Sequence, residues 1–484
     1  MSTFGALNTA YRGLSAARQA MDLAGQNIDN VGTDGYTRQR TDQSALGPVA
    51  QEGLAATGPR VGQGVSVDRI ERLGNALLDA SVRGAASSAG YAAQRSAAYQ
   101  RIEATLQEPG SNGVAAQLQS FWAAWHDVAN QPGEAAPAAA LLQSASQLAA
   151  KIAGGYAALS DQWSATRSDA QGMVGTLNSA ARQVAALNKS IRSALAAGGS
   201  ANELTDARIR LTQTIASLAG GTVRDEPDGT ATVYLGGNAL VSGDSARAVE
   251  LAGSATMADT ASPAPGLVWA DRPNVAVGLD GGTIAGALSV LAPAGGQGSG
   301  VQPAGAQGTG GAIAEAAAQY NALATAVATA VNAVHAAGQT TSGATGLPFF
   351  ALNSGVPAAQ GLSVVPKDAS GIAARAAGAG TLDGSTADAI AQLGVRPASP
   401  DSQWAAFVSA TGSASKTAQQ QESLTDGAAA NAKQAQASGA SVSLDEENTN
   451  LLAAQHAYQA AARVMNAIDQ ALETLINHTG TVGL

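Results

Sequence analysis

The stretch LLAAQHAYQAAARVMNAIDQALETL, residues 451–475, predicts a long helix with one narrow apolar face. Apolar or small side chains recur there at alternating intervals of three and four positions, which is the seam of a heptad helix. The seam consists of Leu451, Ala454, Tyr458, Ala461, Met465, Ile468, Leu472 and Leu475. Ser443 and Glu446 have the spacing of a capping box, which predicts that the helix begins near residue 444. The acidic residues 445–447 then lie in the first turn, where the helix dipole favours negative charge.

The amino terminus carries the same alternation. Its seam consists of Phe4, Leu7, Tyr11, Leu14, Arg18, Met21, Gly25 and Ile28. Arg18 and Gly25 are defects in an otherwise apolar series. Each end could lie separately on a globular core, but two narrow seams flanked by small residues favour pairing of the ends as a coiled coil. A pair of about 30 residues buries little area for the entropy it fixes, so we expect frayed ends in the monomer that become ordered against neighbouring subunits.

Composition excludes several classes of protein. The 484 residues are 45% hydrophobic but only 4% aromatic, which suits slender, alanine-rich helices better than one large core. The net charge of −10, without a basic run, argues against a nucleic-acid partner. There is no cysteine, which excludes disulfides and thiolate chemistry. No stretch has the form of a standard secretory signal or a membrane span, so export would need a route that reads no hydrophobic signal.

The middle of the chain predicts a helical block and then a β-rich part. A heptad-like stripe predicts a helix over about 137–198, with a bend at Gly154-Gly155 and a cap for the next helix at Ser200 or Asn202. Trp122, Trp125 and Trp163 are expected in the bundle core. Asp228-Gly229 predicts a hairpin turn, and strands are expected to continue to about residue 279. The Gly/Ala-rich run 291–311 is expected to be a linker.

These patterns predict a mainly α fold with a β-rich insertion, in which the chain leaves and re-enters a bundle of long helices. The expected domains are a terminal helix and turn arm at 1–45, an extended arm and helical bundle at 46–220, a β-rich outer domain with a Gly-rich loop at 221–311, a bundle helix at 312–338, a second outer mixed segment at 339–401, a return helix at 402–440 and a final coiled-coil helix at 441–484. Residues 1–45 are expected to pair with 441–484.

A turn and an extended arm follow the first helix. In NIDNVGTDGYTRQR, residues 27–40, the glycines and the Asn and Asp side chains end the helix and form turns. Tyr36, Arg38 and Arg40 then alternate, as expected of an extended strand. The acidic residues lack the spacing of a calcium loop.

Both ends resemble the signatures of the bacterial flagellar axial proteins, the rod, hook and hook-associated group. The amino-terminal motif is carried by Asn27, Asn30, Gly35 and Tyr36, although Gly32-Thr33-Asp34 departs slightly from the usual pattern before Gly35. The carboxy-terminal motif contains Asn450-Leu451-Leu452 and Ala457-Tyr458-Gln459-Ala460. In addition, residues 201–243, in which Leu204-x-Asp206-x-Arg208 leads into the predicted hairpin, resemble the hook-associated members of the group.

The resemblance implies a structural subunit at the junction of hook and filament. It would be secreted through the flagellar type III apparatus and would form a ring with copies of itself. The implied partners are the hook protein, a second hook-associated junction protein and an export chaperone that holds the carboxy-terminal segment. The predicted assembly interface consists of Phe4, Leu7, Tyr11, Leu14, Met21, Ile28, Leu451, Tyr458, Met465, Ile468, Leu472 and Leu475. The alternatives are a secreted coiled-coil interaction protein, such as an effector or adhesin, and another axial protein, such as a flagellin-like or hook protein.

The sequence gives no support for catalysis. The four histidines form no H-E-x-x-H motif, and no G-x-S-x-G elbow is present. Gly296-x-Gly298-x-Gly300 lies in a low-complexity run without the lysine of a phosphate-binding loop. We therefore expect no catalytic residue, no cofactor, no metal, and neither a nucleic-acid nor a membrane partner.

Overall fold

A computed structural model of the chain describes residues 3–48, 61–259, 261–295 and 310–478, without the side chains of 3, 4 and 475–478. Long helices dominate it, and the β-structure is confined to small antiparallel sheets. The mainly α fold with a β-containing part is confirmed. Most of the expected linker, including Gly296, Gly298 and Gly300, lies outside the described residues.

The chain begins with a helix that carries a β-ribbon. Helix α1 spans Thr3–Asp29, and after a turn β1 (Gln39–Leu46) pairs with β2 (Gly64–Arg72). The antiparallel register runs from Gln39↔Arg72 to Leu46↔Gly64. Gly64 has φ of +96°, and a Cβ there would come within 3.2 Å of Thr9 on α1. The predicted extended arm is therefore one strand of a ribbon that lies against α1.

Four helices form the first half of the bundle: α2 (Ala76–Leu106), α3 (Val114–Asn130), α4 (Ala135–Ala196) and α5 (Asn202–Ala219). The long predicted helix is confirmed, and its 62 residues correspond to a length of about 90 Å. Helix α4 continues without a break through Gly154 and Gly155, the place of the expected bend. A Cβ on Gly155 would lie 2.2 Å from the Tyr320 ring, so this glycine makes room for an aromatic side chain.

The predicted N-cap of α5, at Ser200 or Asn202, is wrong. Ala201 occupies the N-cap position and makes no side-chain capping bond. Asn202 Nδ2 instead donates to Gln39 Oε1 at 2.8 Å and to the Ile70 carbonyl at 3.1 Å. The amide is thus used to hold the β-ribbon against α5.

Two small sheets follow and pack on the far half of α4. The first consists of β3 (Thr222–Asp225), β4 (Ala231–Leu235), β5 (Asn238–Ser242) and β6 (Ser245–Ala246), and the second of β7 (Val249–Ala252), β8 (Gly266–Trp269) and β9 (Arg272–Ala276). The hairpin predicted at Asp228-Gly229 joins β3 to β4, with φ of +83° at Gly229. Leu177 and Val184 of α4 share a buried core with Val233 and Trp269.

The chain then returns to the bundle through α6 (Gly282–Leu291) and α7 (Ala312–His335). The small elements that follow are β10 (Gly338–Gln339), β11 (Phe350–Leu352), α8 (Ala358–Gly361), β12 (Leu362–Val364), β13 (Arg375–Ala376) and α9 (Ser385–Ala391). They cover a core in which Trp125 and Trp163 are at most 1% exposed and Trp122 is 6% exposed, as expected. Phe121, Phe349 and Phe350 belong to the same core.

Two helices complete the chain. Helix α10 (Pro400–Ala440) packs along α2 and begins at Ser399, whose side chain accepts the Ser402 N–H. Helix α11 (Leu444–His478) packs along α1, so the ends of the chain form a pair. Half of the predicted capping box is present, because the Glu446 N–H donates to Ser443 Oγ at 3.5 Å. The Glu446 carboxylate bonds Arg38 instead of returning to the cap.

Candidate functional site

The α1–α11 pair is a seam of small residues flanked by larger ones. Ala10, Ala17 and Ala24 are spaced seven residues apart and are at most 7% exposed. Ala454 of α11 is 8% exposed. Alanines let two helix backbones approach closely, and Leu23, at 5% exposure, is the large apolar side chain of α1 that is buried beside them. The larger seam residues lie at the margins and are only half-buried.

The structure places the predicted interface residues as follows. Half-buried positions are Leu7, Leu14, Met21 and Ile28 on α1, and Leu451, Tyr458, Met465, Ile468 and Leu472 on α11. Phe4 and Leu475 have helical backbones, but their side chains lie outside the described part of the structure. Tyr11 is 61% exposed, so it is not a seam residue of the pair. The inward positions on α1 are Ala10, Ala17 and Ala24, one residue before Tyr11 and the two predicted defects.

Two surface hollows border the pair. Leu7, Tyr11 and Met465 come together around one of about 320 Å³, although they belong to opposite ends of the chain. A groove of about 750 Å³ runs between α1, α11 and the β-ribbon, lined by alanines of both helices together with Val65 and Leu73. The pair therefore leaves apolar surface open on more than one side.

Asn27 lies where α1, the turn and α11 meet, and it is 1% exposed. Its Nδ2 donates to the Gln39 carbonyl at 2.9 Å and to Glu447 Oε2 at 3.1 Å. Its Oδ1 accepts the Tyr36 hydroxyl at 2.9 Å and the Gln39 N–H at 3.1 Å. Both donors and both lone pairs of the amide are thereby used. Within the family motif, Tyr36 thus bonds Asn27, and Asn27 bonds Glu447 of the opposite terminus.

The turn that contains the other motif residues is held locally. Asn30 donates to the Gln26 carbonyl at 3.0 Å and accepts the Thr33 hydroxyl at 3.1 Å. Gly35 has φ of +72°, and a Cβ there would lie 2.7 Å from Arg210. Left-handed backbone and close contact together require glycine at this position.

Arg38 fastens the turn to the start of α11. Its guanidinium donates to Glu447 Oε1 at 2.7 Å and to Glu446 Oε2 at 2.6 Å, and its backbone N–H donates to the Ala440 carbonyl at 2.9 Å. The Glu447 side chain is only 3% exposed, whereas that of Glu446 is 62% exposed. A buried carboxylate needs such partners, because losing them leaves a desolvated charge.

The same turn is joined to the bundle through acidic residues of α5. Asp206 accepts the Thr37 N–H at 3.0 Å and the Arg72 guanidinium. Glu203 Oε1 accepts Gln26 at 2.8 Å and Gln39 at 3.0 Å. Burial, reinforced by the charges of Glu203, Asp206 and Glu447, raises the pKa of Tyr36 to about 12, so its hydroxyl stays a donor at neutral pH.

These contacts form one polar joint, which consists of Asn27, Tyr36, Arg38, Gln39, Glu203, Asp206 and Glu447. Only part of the joint could be predicted from the sequence. Asp206 was visible in the Leu-x-Asp-x-Arg pattern, whereas Glu447 was interpreted as a helix-dipole charge. The missed signal at Glu447 is its place in the heptad, four residues before Leu451 and on the inner side of the helix.

A metal ion finds no ligand set among the described residues. They contain no cluster of three or more His, Asp or Glu side chains arranged to hold a metal ion. Nor does any helix within the described ranges combine the length and the apolar character that crossing a membrane requires.

Comparisons with known proteins agree with the motifs. The family described as "Flagellar hook-associated protein FlgK helical domain" matches residues 99–350, slightly more than half of the chain. A second family, "Flagellar basal body rod FlgEFG protein C-terminal", matches residues 433–478.

Individual relatives carry a consistent name. The flagellar hook-associated protein 1 of Bacillus subtilis is 28% identical over 100% of this chain and 99% of its own length. Its namesake from Salmonella typhimurium is 29% identical over 50% of this chain and 43% of its own length. That from Escherichia coli is 28% identical over 58% of this chain and 51% of its own length.

A solved structure shows the fold. The structure of the flagellar hook junction protein FlgK from Burkholderia pseudomallei has a TM-score of 0.58 and 16% identity, and covers 75% of this chain and 100% of its own. The resemblance seen in the terminal motifs is therefore confirmed. The chain belongs to the family of the flagellar hook-associated protein FlgK, a family of structural components of the bacterial flagellum.

Proposed function

We propose that this chain is the structural subunit that joins hook to filament, and that it assembles through its paired terminal helices. One observation carries the proposal: a buried polar joint holds the two ends of the chain together, while the pair itself leaves its large apolar side chains half-covered. A large exposed apolar surface is typical of an interaction site, and neighbouring subunits would cover it in the polymer.

The proposed contact surface is the face around Leu7, Tyr11 and Met465, extended along the pair by Leu14, Ile468 and Leu472. Leu452 and Val464 of α11 are 56% and 52% exposed and would contact further neighbours. In an axial structure each subunit would have different neighbours on its two sides, which favours head-to-tail contacts that close into a ring or continue as a helix.

The finer parts of the proposal rest on the family resemblance of the terminal motifs. The neighbours would be copies of this chain, the hook protein on one side and a second hook-associated protein on the other. The chain would be exported through the flagellar type III apparatus. A chaperone would hold α11 before assembly, because α11 packs along α1 alone over most of its length and exposes apolar residues. We propose no catalytic role.

The proposal can be tested in cells whose own gene for this chain is deleted. The variant Tyr11→Asp/Met465→Asp should fold and be exported, but should leave hooks without filaments and cells without swimming motility. Leu382→Asp/Val395→Asp is the matched control, because these residues are 84% and 81% exposed but lie away from the terminal helices. Normal filaments on cells carrying the first variant would overturn the proposed interface.

A further inference from the structure

A cavity of about 390 Å³ lies beside the joint, between the first turns of α2, the end of α4, α5 and β3. Its polar wall holds three arginines, Arg72, Arg83 and Arg208, with Asp79 and Asp225, and its apolar wall includes Ile191 and Leu195. This lining is unrelated to the proposed interface on the terminal pair.

Two of the three arginines have acceptors. Arg208 donates to Asn188 Oδ1 at 3.1 Å, to the Gly229 carbonyl at 2.6 Å and to Asp225 at 3.2 Å. Arg72 bonds Asp206, and its NH1 lies 4.0 Å from Asp79. These two guanidiniums are therefore fixed in the cavity wall.

The carboxylates near the cavity are also engaged. Asp79 Oδ1 accepts Gln436 Nε2 at 2.6 Å, and Asp206 Oδ2 accepts the Thr37 N–H at 3.0 Å. Asp225 holds Arg208 and is 68% exposed on its side chain. Within the lining itself, the two carboxylates Asp79 and Asp225 equal the two fixed arginines in number.

Arg83 differs from its neighbours. In the described part of the chain it forms neither a hydrogen bond nor a close ion pair, and it is attracted to Asp79 and Asp225 only at longer range. The side chain is half-buried, and this burial lowers the pKa of Arg83 from its ordinary value. Arg83 lines the cavity, and its N–H donors are therefore available to a ligand that accepts hydrogen bonds there.

We propose that this cavity binds one oxyanion, of the carboxylate or phosphate type, with Arg83 as its principal ligand. A guanidinium matches such groups with two parallel hydrogen bonds. The oxyanion has two possible sources: a small anion free in solution, or an acidic side chain of a second copy. The chain is rich in such side chains, with 36 acidic against 26 basic residues. The second source depends on the proposed polymer, whereas the first does not.

Thermal melting of the isolated chain tests the first source. Acetate or inorganic phosphate replaces chloride at constant ionic strength, and wild type is compared with Arg83→Gln and with Arg101→Gln, an exposed arginine on the same helix. At ten times the dissociation constant the wild-type Tm should rise by about 1–2 °C. The rise should persist in Arg101→Gln and disappear in Arg83→Gln. Arg83→Lys retains the charge but not the planar guanidinium, so it should retain part of the rise in Tm. This variant also shows whether a loss of folding explains the result for Arg83→Gln.

Cross-linking in the assembled polymer tests the second source. A photoreactive phenylalanine analogue at Ala80, in the cavity lining, should cross-link to a peptide of a second copy that contains Asp or Glu, and Arg83→Gln should reduce the yield. If neither the Tm shift nor this cross-link is observed, the anion site is wrong. If the polymer forms but neither signal is observed, only the anion site is overturned. If no polymer forms, the result counts against the proposed function, and the melting experiment alone then decides whether the anion site exists.

Discussion

Arg38 and Glu447 lie 409 positions apart in the sequence, yet Nε of Arg38 donates to Oε1 of Glu447 over 2.7 Å. Glu447 also accepts from Asn27. One carboxylate therefore binds the turn after α1 and the end of α1 itself to the start of α11. This contact therefore fixes the start of α11 against the turn and α1.

Replacement of Glu447 by Gln should loosen α11. Because the side chain is 3% exposed and Arg38 is 22% exposed, the free energy of opening α11 should fall by about 2 kcal/mol, below the cost of breaking a fully buried pair. Amide exchange along α11 measures this. Glu446→Gln is the control: that carboxylate is 62% exposed and should contribute less than about 1 kcal/mol. Equal effects of the two substitutions would contradict the assigned role of Glu447.

Gly154 and Gly155 should respond in opposite ways to alanine. A Cβ on Gly154 meets nothing within 4 Å, so Gly154→Ala should stabilise α4 by up to about 1 kcal/mol through helix propensity. A Cβ on Gly155 would lie 2.2 Å from the Tyr320 ring, so Gly155→Ala should destabilise the protein by about 1–3 kcal/mol through overpacking. Urea unfolding of the two variants provides the comparison, and stabilisation by both would show that Tyr320 does not pack against α4 as described.

His335 should make the bundle sensitive to acid. The ring is fully buried, its Nδ1 lies 2.7 Å from the Leu347 carbonyl, and its Nε2 accepts the Ala373 N–H at 2.9 Å. It is therefore neutral, with the proton on Nδ1. Trp125 and Phe349 pack against it. Burial lowers its pKa below the ordinary value of 6.5, outweighing the bond to Leu347, which raises it.

The unfolded chain therefore binds a proton at His335 more readily than the folded chain. Stability should be constant above about pH 7 and should decline as the pH falls through 6.5 towards the lower folded pKa. Thermal melting between pH 8 and pH 5 measures the decline. His335→Gln should remove most of this component, whereas His126→Gln, at a ring that is 46% exposed, should retain it. An unchanged pH profile in His335→Gln would contradict this origin.

The terminal pair should gain protection on assembly. In the dilute monomer, amides in the outer turns of α1 and α11 should exchange faster than those of α4, because the pair buries mainly alanines. In the polymer the same amides should become protected. Full protection of both termini in a dilute monomer would refute the view that they are half of an interface.

Long periodic elements could be predicted from the sequence, and contacts between distant residues could not. Helix α4 was predicted to within two residues at each end, because its apolar stripe continues for many turns. Helix α6 was missed because nearly every residue in it is buried, which removes the polar face that periodicity requires. On α1 the larger side chains suggested Tyr11 as a seam position, whereas close helix packing buried its neighbour Ala10.

The joint shows the same limit. Family motifs identified Asn27, Asn30, Gly35 and Tyr36, and local rules explain the left-handed turn at Gly35. No local rule brings Asn27 to Glu447 or Gln39 to Glu203, because these partners are separated by 420 and 164 residues. Their pairing depends on the return of the chain through the whole bundle.

Electron cryo-microscopy of isolated hook–filament junctions can identify this chain by its side-chain density and show what covers its terminal helices. We expect a layer of this chain between hook and filament, with the face of Leu7, Tyr11 and Met465 covered by a neighbouring subunit. A junction without this chain, or one in which that face remains open to solvent, would contradict it.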